Sequence, residues 1–225
     1  MKTKLSLYSL LVILITISCK TQTKEFSYFQ CFDEGWKFQL CDLPEAADVG
    51  FDDSRWRVLD LPHDWSVELP FSKETGFIAT GQTAGGTGWY RKTFTLLPEQ
   101  DNKIVQLYFE GAYMEAEVWL NGRKIDYHPY GYTSFFCDLT SGCNPVGKEN
   151  TLAVKVSNEG KNSRWYAGSG IYRHVRMVTT DRLHIDNWGV FVTTPSVAED
   201  KAIATVSAGI INEAELMQNV DIVFK

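Results

Sequence analysis

Hydrophobic and polar residues alternate with period two along most of the chain. In KIVQLYFE (103–110), Val105, Leu107 and Phe109 fall on one face, and Gln106, Tyr108 and Glu110 on the other. EAEVWL repeats the pattern, with Ala116, Val118 and Leu120 opposed to Glu115, Glu117 and Trp119, and runs into Asn121-Gly122 and then RKIDY. Asn-Gly between two such runs predicts a tight hairpin, because both central positions of a type I′ turn need positive φ. TLAVKV (151–156) places Leu152, Val154 and Val156 inward. Further short strands are predicted at 27–32, 36–40, 89–96, 133–138 and 172–179, separated by Gly, Asn, Asp and Pro. One face of each strand is core, and the other is wet or covered. The helical candidate is PEAADVGFDDSRW, where Asp52 is placed to cap a short turn beginning at Asp53. Many short strands without a run of helices predict an all-β protein built as a sandwich or jelly roll.

The main domain ends near Asp181. Beyond it DNWGVFVTTP, AIATVSAGII and NVDIVF form three more alternating runs. That is less than half of the seven strands of an immunoglobulin-like sandwich, so residues 182–225 read as an incomplete second domain.

The N-terminus has its own logic. After Lys2 and Lys4, an uncharged and mostly apolar run extends from Leu5 to Ser18 and ends at Cys19. It is too short for a typical membrane-spanning helix of about 20 residues and has the layout of a signal peptide. TIS-Cys19 resembles a bacterial lipobox, with Thr16 where leucine is usual, so Cys19 is expected to be lipidated; a plain secretory signal is the alternative. Either reading exports the mature protein, and lipidation places it in the periplasm or on the outer membrane, with a lipid anchor as its one link to the membrane.

Composition narrows the partners. The 225 residues are 44% hydrophobic and 22% charged, which describes a folded globular chain. Without residues 1–18 there remain 20 basic and 28 acidic side chains, a formal charge of −8. This argues against nucleic acid, which needs clustered Lys and Arg. Cys31, Cys41, Cys137 and Cys143 allow three disulfide pairings in an exported chain. Their spacing makes no metal knuckle, and His63, His128, His174 and His184 lie far apart, so neither metal nor cofactor is expected. The glycines of 81–88 precede a strand rather than a helix, so they do not form a phosphate cradle. The aromatic run YHPYGYTSFF (127–136) reads either as a sugar-stacking platform or as loop and core packing.

Six segments carry a more specific signal: DDSRWRVLDLPHDW (52–65), GGTGWYRKTF (85–94), FEGAYMEAEVWLNGRKI (109–125), GYTSFFCDLT (131–140), NTLAVKV (150–156) and SRWYAGSGIYRHV (163–175). In this order they resemble the N-terminal sugar-binding domain of glycoside hydrolase family 2, most closely the exported bacterial β-galactosidase type. The resemblance covers the domain set at 26–181 and implies a galactose-binding-like jelly roll. The tail resembles the start of the immunoglobulin-like domain that follows it in the family.

The resemblance implies hydrolysis of terminal β-glycosides by two glutamates on a (β/α)₈ barrel. Retaining chemistry needs carboxylates about 5–5.5 Å apart, and a barrel takes roughly 250 residues. These 225 residues have no room for it, so the chain is expected to be inactive alone. Asn158-Glu159 and Asn212-Glu213 echo the family's Asn-Glu acid/base pair, but each is read as a surface loop or turn. The residues expected to meet a carbohydrate are Asp64, as acceptor for sugar hydroxyls, Arg164, as a fixed positive fork, and Trp65 and Trp165, as stacking surfaces. Asp64 also fits a turn cap, and the two tryptophans fit core or interdomain anchors. Alternatives for the whole chain are a standalone exported carbohydrate-binding module or an inert truncation product.

Overall fold

The structure is a computed structural model that describes residues 28–74, 76–77, 81–159 and 168–223. The strands are β1 (Phe29–Cys31), β2 (Trp36–Leu40), β3 (Arg57–Leu59), β4 (Gly76–Phe77), β5 (Thr83–Ala84), β6 (Gly86–Thr95) and β7 (Ile104–Phe109). They continue as β8 (Ala116–Leu120), β9 (Arg123–His128), β10 (Phe135–Asp138), β11 (Glu149–Asn158), β12 (Val175–Thr180), β13 (Leu183–Val197) and β14 (Ala202–Asn212). A four-stranded sheet, β1-β12-β7-β10, faces a six-stranded sheet, β3-β2-β6-β11-β8-β9. Every pairing is antiparallel.

The predicted alternation sets the core. Val105, Leu107 and Phe109 from one sheet meet Val118, Leu152 and Val154 from the other, all buried. At the β8–β9 turn, Leu120 pairs with Arg123 while Asn121 and Gly122 take φ of 52° and 79°, the geometry that the Asn-Gly signal requires.

A second core lies on the outer face of the six-stranded sheet, where Trp89 and Ala153 are buried under Ala46 and Trp56. Residues 41–56 form this cover. They contain a 3₁₀ turn at Pro44–Ala47, and Asp52 caps the next turn by accepting the Ser54 N–H at 3.0 Å. Arg91 ties the cover down from β6. Its Nε donates to Asp53 Oδ2 at 2.8 Å, and its Nη1 donates to the carbonyls of Asp48, at 3.0 Å, and Ala46.

Beyond residue 181, β13 and β14 pair as a long hairpin, while residues 219–223 of the third expected run carry no strand. The hairpin register shifts between Ile185 and Val190. This bulge turns Trp188, at φ 53°, against Phe136 at 4.9 Å and Tyr108 at 6.2 Å. Asn187 Nδ2 donates to Gln106 Oε1 at 3.0 Å. The outer face of β7 and β10 is thus where the hairpin docks, and an extra residue in a strand is a common way to re-aim a side chain.

All four described cysteines are free thiols. Burial pushes the Cys143 thiol up to about 12, so it stays protonated. Among the described residues, no group of three or more His, Cys, Asp or Glu side chains is placed to hold a metal. Residues 1–27, with the expected signal segment and Cys19, lie outside the described residues.

Candidate functional site

The segment that follows β3 is organised by backbone pairing with residues 168–171, a hundred positions later. His63 N–H donates to the Ile171 carbonyl at 2.9 Å and Trp65 N–H to the Ser169 carbonyl at 3.0 Å. Asp64 lies between them and caps the 3₁₀ turn Trp65–Val67. Its Oδ1 accepts two backbone N–H groups, from Ser66 at 2.9 Å and from Ser169 at 2.8 Å. One carboxylate oxygen therefore serves both as a turn cap and as a cross-link between distant segments.

Trp65 is a core residue. It is 1% exposed, stacks on Phe38 at 5.7 Å and donates its Nε1 proton to the Gly85 carbonyl at 3.1 Å. This corrects the stacking role expected for it, since no ring face is left for a sugar. Burying so large a ring is worth more to the fold than exposing it. Arg164 and Trp165 lie outside the described residues.

Asn158 is also corrected. It is the last residue of β11 rather than part of a surface loop, and it is buried. Its Nδ2 donates to the Gly168 carbonyl at 3.1 Å and to Ser169 Oγ at 2.7 Å, fixing the chain on the far side of residues 160–167. Glu159 is exposed and accepts from the Thr87 hydroxyl. Glu213 is exposed beyond β14.

Further polar residues complete the arrangement: Ser66, Ser169 and Tyr90, not singled out in the sequence, and His63, weighed there only as a metal ligand. Ser66 Oγ donates to the Ala84 carbonyl at 2.7 Å and lies 2.6 Å from Ser169 Oγ. His63 has Tyr90 Oη 2.7 Å from Nδ1 and Arg57 Nη2 2.8 Å from Nε2. Arginine only donates, so Nε2 must accept and Nδ1 carries the proton. Burial pushes the imidazole below its ordinary value, against the pull of Glu68, and keeps it neutral.

These groups are suited to holding a shape and presenting acceptors. Both His63 nitrogens are engaged and the Ser66 hydroxyl is committed to a carbonyl, so neither forms the nucleophile–base pair that covalent catalysis uses.

The profile of glycosyl hydrolases family 2, sugar binding domain, matches residues 24–181. The chain belongs to glycoside hydrolase family 2. Among relatives of this family 2 chain, the β-galactosidase BoGH2A of Bacteroides ovatus is 45% identical over 193 residues, covering 85% of this chain and 23% of that protein. A β-glucuronidase of Formosa agariphila is 30% identical over 215 residues, covering 85% of this chain and 22% of its own length. The crystal structure of a β-glycosidase from Bacteroides vulgatus superposes with a TM-score of 0.78 at 37% identity, over 84% of this chain and 25% of that one. The family 2 chain thus spans about a quarter of the length of these relatives.

The double acceptance by Asp64 gives a graded expectation. Asp64→Ala orphans two backbone N–H groups and should cost about 2 kcal/mol, whereas Asp64→Asn keeps an acceptor oxygen and should cost less than half as much. Urea unfolding of both variants checks this, and equal losses would contradict the cross-link.

Proposed function

We propose that this chain forms the sugar-binding face of an exported β-galactosidase-type glycosidase and that Asp64 and Arg164 help to recognise the terminal β-glycoside. The observation that carries the reading is the cross-linked pair of segments 61–66 and 168–171, in which Asp64 accepts the Ser169 N–H at 2.8 Å. The membership of residues 24–181 in a sugar-binding family agrees with it. Trp165 is retained as an aromatic contact next to Arg164 in the sequence.

Hydrolysis is assigned to a (β/α)₈ barrel, as in the family. Among the described residues there is no α-helix and hence no barrel. Export follows from the apolar run Leu5–Ser18, with Cys19 lipidated and the protein in the periplasm or on the outer membrane.

Purified residues 20–225 are expected to leave nitrophenyl β-galactoside unhydrolysed and to bind galactose weakly. Turnover that Glu159→Gln abolishes would overturn the assignment of catalysis to a barrel. Micromolar galactose affinity lost in Asp64→Asn would favour a standalone module.

A further inference from the structure

Four tyrosines meet beside the cross-linked segments. Tyr113 is buried, and its main chain pairs with Gly170 through two hydrogen bonds, of 2.9 and 3.0 Å. The turn at Gly131 rides directly on the Tyr113 ring, where a Cβ at position 131 would come within 2.1 Å of it. Tyr172 fixes the same turn from the other side, its hydroxyl donating to the Gly131 carbonyl at 2.8 Å. With Gly131 held from two directions, its neighbours Tyr130 and Tyr132 stand outward and are 55% and 50% exposed. The Tyr132 ring lies 5.2 Å from Tyr113, and Tyr130 lies 5.7 Å from Tyr132 at an interplanar angle of 63°.

We propose that Tyr130 and Tyr132 form an aromatic corner that binds a neutral β-linked oligosaccharide, contacting sugar units beyond the terminal one. Exposed rings on a rigid base present faces for the C–H side of a pyranose, and their phenol edges donate to or accept from its hydroxyls. Rigid tyrosines also supply contact area at low entropic cost. Burial and neighbouring phenols push Tyr113 up to about 12, so the buried ring beneath the corner carries no phenolate. Position supports an extended ligand. Gly170, which pairs with Tyr113, is next to Ser169, whose N–H is held by Asp64. The corner therefore lies at the end of the sandwich assigned to the terminal sugar.

The inference rests on the sugar-binding reading, but the two fail differently. The test is titration of the chain with β-1,4-galactotetraose at millimolar concentration, with galactose as control, followed by NMR of ¹³C-labelled tyrosine rings. The Tyr130 and Tyr132 signals are expected to shift with the tetrasaccharide and not with galactose. Tyr130→Ala and Tyr132→Ala should each weaken binding about fivefold, while Tyr127→Ala, an exposed tyrosine on β9, leaves it unchanged. Silent Tyr130 and Tyr132 signals would overturn the proposal, as would an equal response to galactose or burial of both rings against another part of a longer protein. The sugar-binding reading itself falls if neither galactose nor the tetrasaccharide shifts any signal at millimolar concentration, whereas a response to the tetrasaccharide outside Tyr130 and Tyr132 would leave that reading standing and overturn only the corner.

Discussion

Arg91→Met is expected to destabilise the fold by about 3–5 kcal/mol, because removing one partner of a buried charge pair leaves the other uncompensated. Arg91 is 2% exposed. Its guanidinium is the common anchor of the cover over the outer core, satisfying Asp53, the Asp48 and Ala46 carbonyls, and lying 5.5 Å over the Phe51 ring. Methionine fills similar volume but donates nothing. Among the described residues, Asp53 would then keep Lys37, at 2.5 Å, as its one cationic partner, and two carbonyls would lose a donor beneath the segment that buries Trp89 and Ala153. Arg91→Lys restores one charge without the planar fork and should recover less than half of the loss. Urea unfolding at neutral pH measures both; a cost below about 1 kcal/mol for Arg91→Met would remove the anchor role.

The same cluster sets an acid limb. Burial would raise the Asp53 carboxyl, but hydrogen bonds and charge from Lys37 and Arg91 outweigh it and hold the group below the usual carboxylate range. Its contribution is fully present above the unfolded aspartate value of about 3.9 and is lost as pH falls through the lower folded value. In Arg91→Met this part of the acid sensitivity should shrink, since one cause of the lowering is gone.

The inner core was legible because period-two alternation reports directly on which residues share a face. Leu152, Val154 and Val156 could be assigned from spacing alone, and Asn-Gly fixed one hairpin. The outer core was not legible. Trp89, Tyr90 and Arg91 are consecutive and all buried, so alternation disappears where both faces are covered. Only the folded chain shows that residues 41–56 supply that cover. The Trp188 bulge escaped for a related reason: an extra residue shifts the register, and periodicity read along one strand cannot say where the partner slips.

At the site, residue type was informative and environment was not. Asp64 was identifiable as a carboxylate beside a Pro-His pair, but its cross-linking role depends on Ser169, 105 positions away. Trp65 shows the opposite failure. A tryptophan has the same flat face in a core as in a sugar site, and the Gly85 carbonyl that takes its Nε1 proton is set by tertiary structure. Asn158 sits where the polar residues after TLAVKV suggested a loop, although it ends β11 and its buried amide clamps Gly168 and Ser169.

Gly170→Ala is expected to cost about 3 kcal/mol or more, combining backbone strain with overpacking. Gly170 has φ of +124°, outside what L side chains ordinarily adopt. A Cβ there would lie 2.4 Å from Tyr90 Oη and 2.7 Å from the His63 carbonyl. Neither neighbour yields easily. Tyr90 is held by His63 Nδ1 at 2.7 Å, and the backbone of His63 is paired with Ile171. Gly35→Ala is the matched control, because Gly35 also has positive φ, +71°, but nothing lies within 4 Å of its added Cβ. It should pay only the conformational penalty of about 1 kcal/mol. Equal losses in the two variants would show that close approach at Gly170 is unimportant. A larger loss at Gly170, accompanied by displaced Tyr130 and Tyr132 ring signals, would show that one glycine couples the Asp64 cross-link to the tyrosine corner, since its two hydrogen bonds to Tyr113 join them.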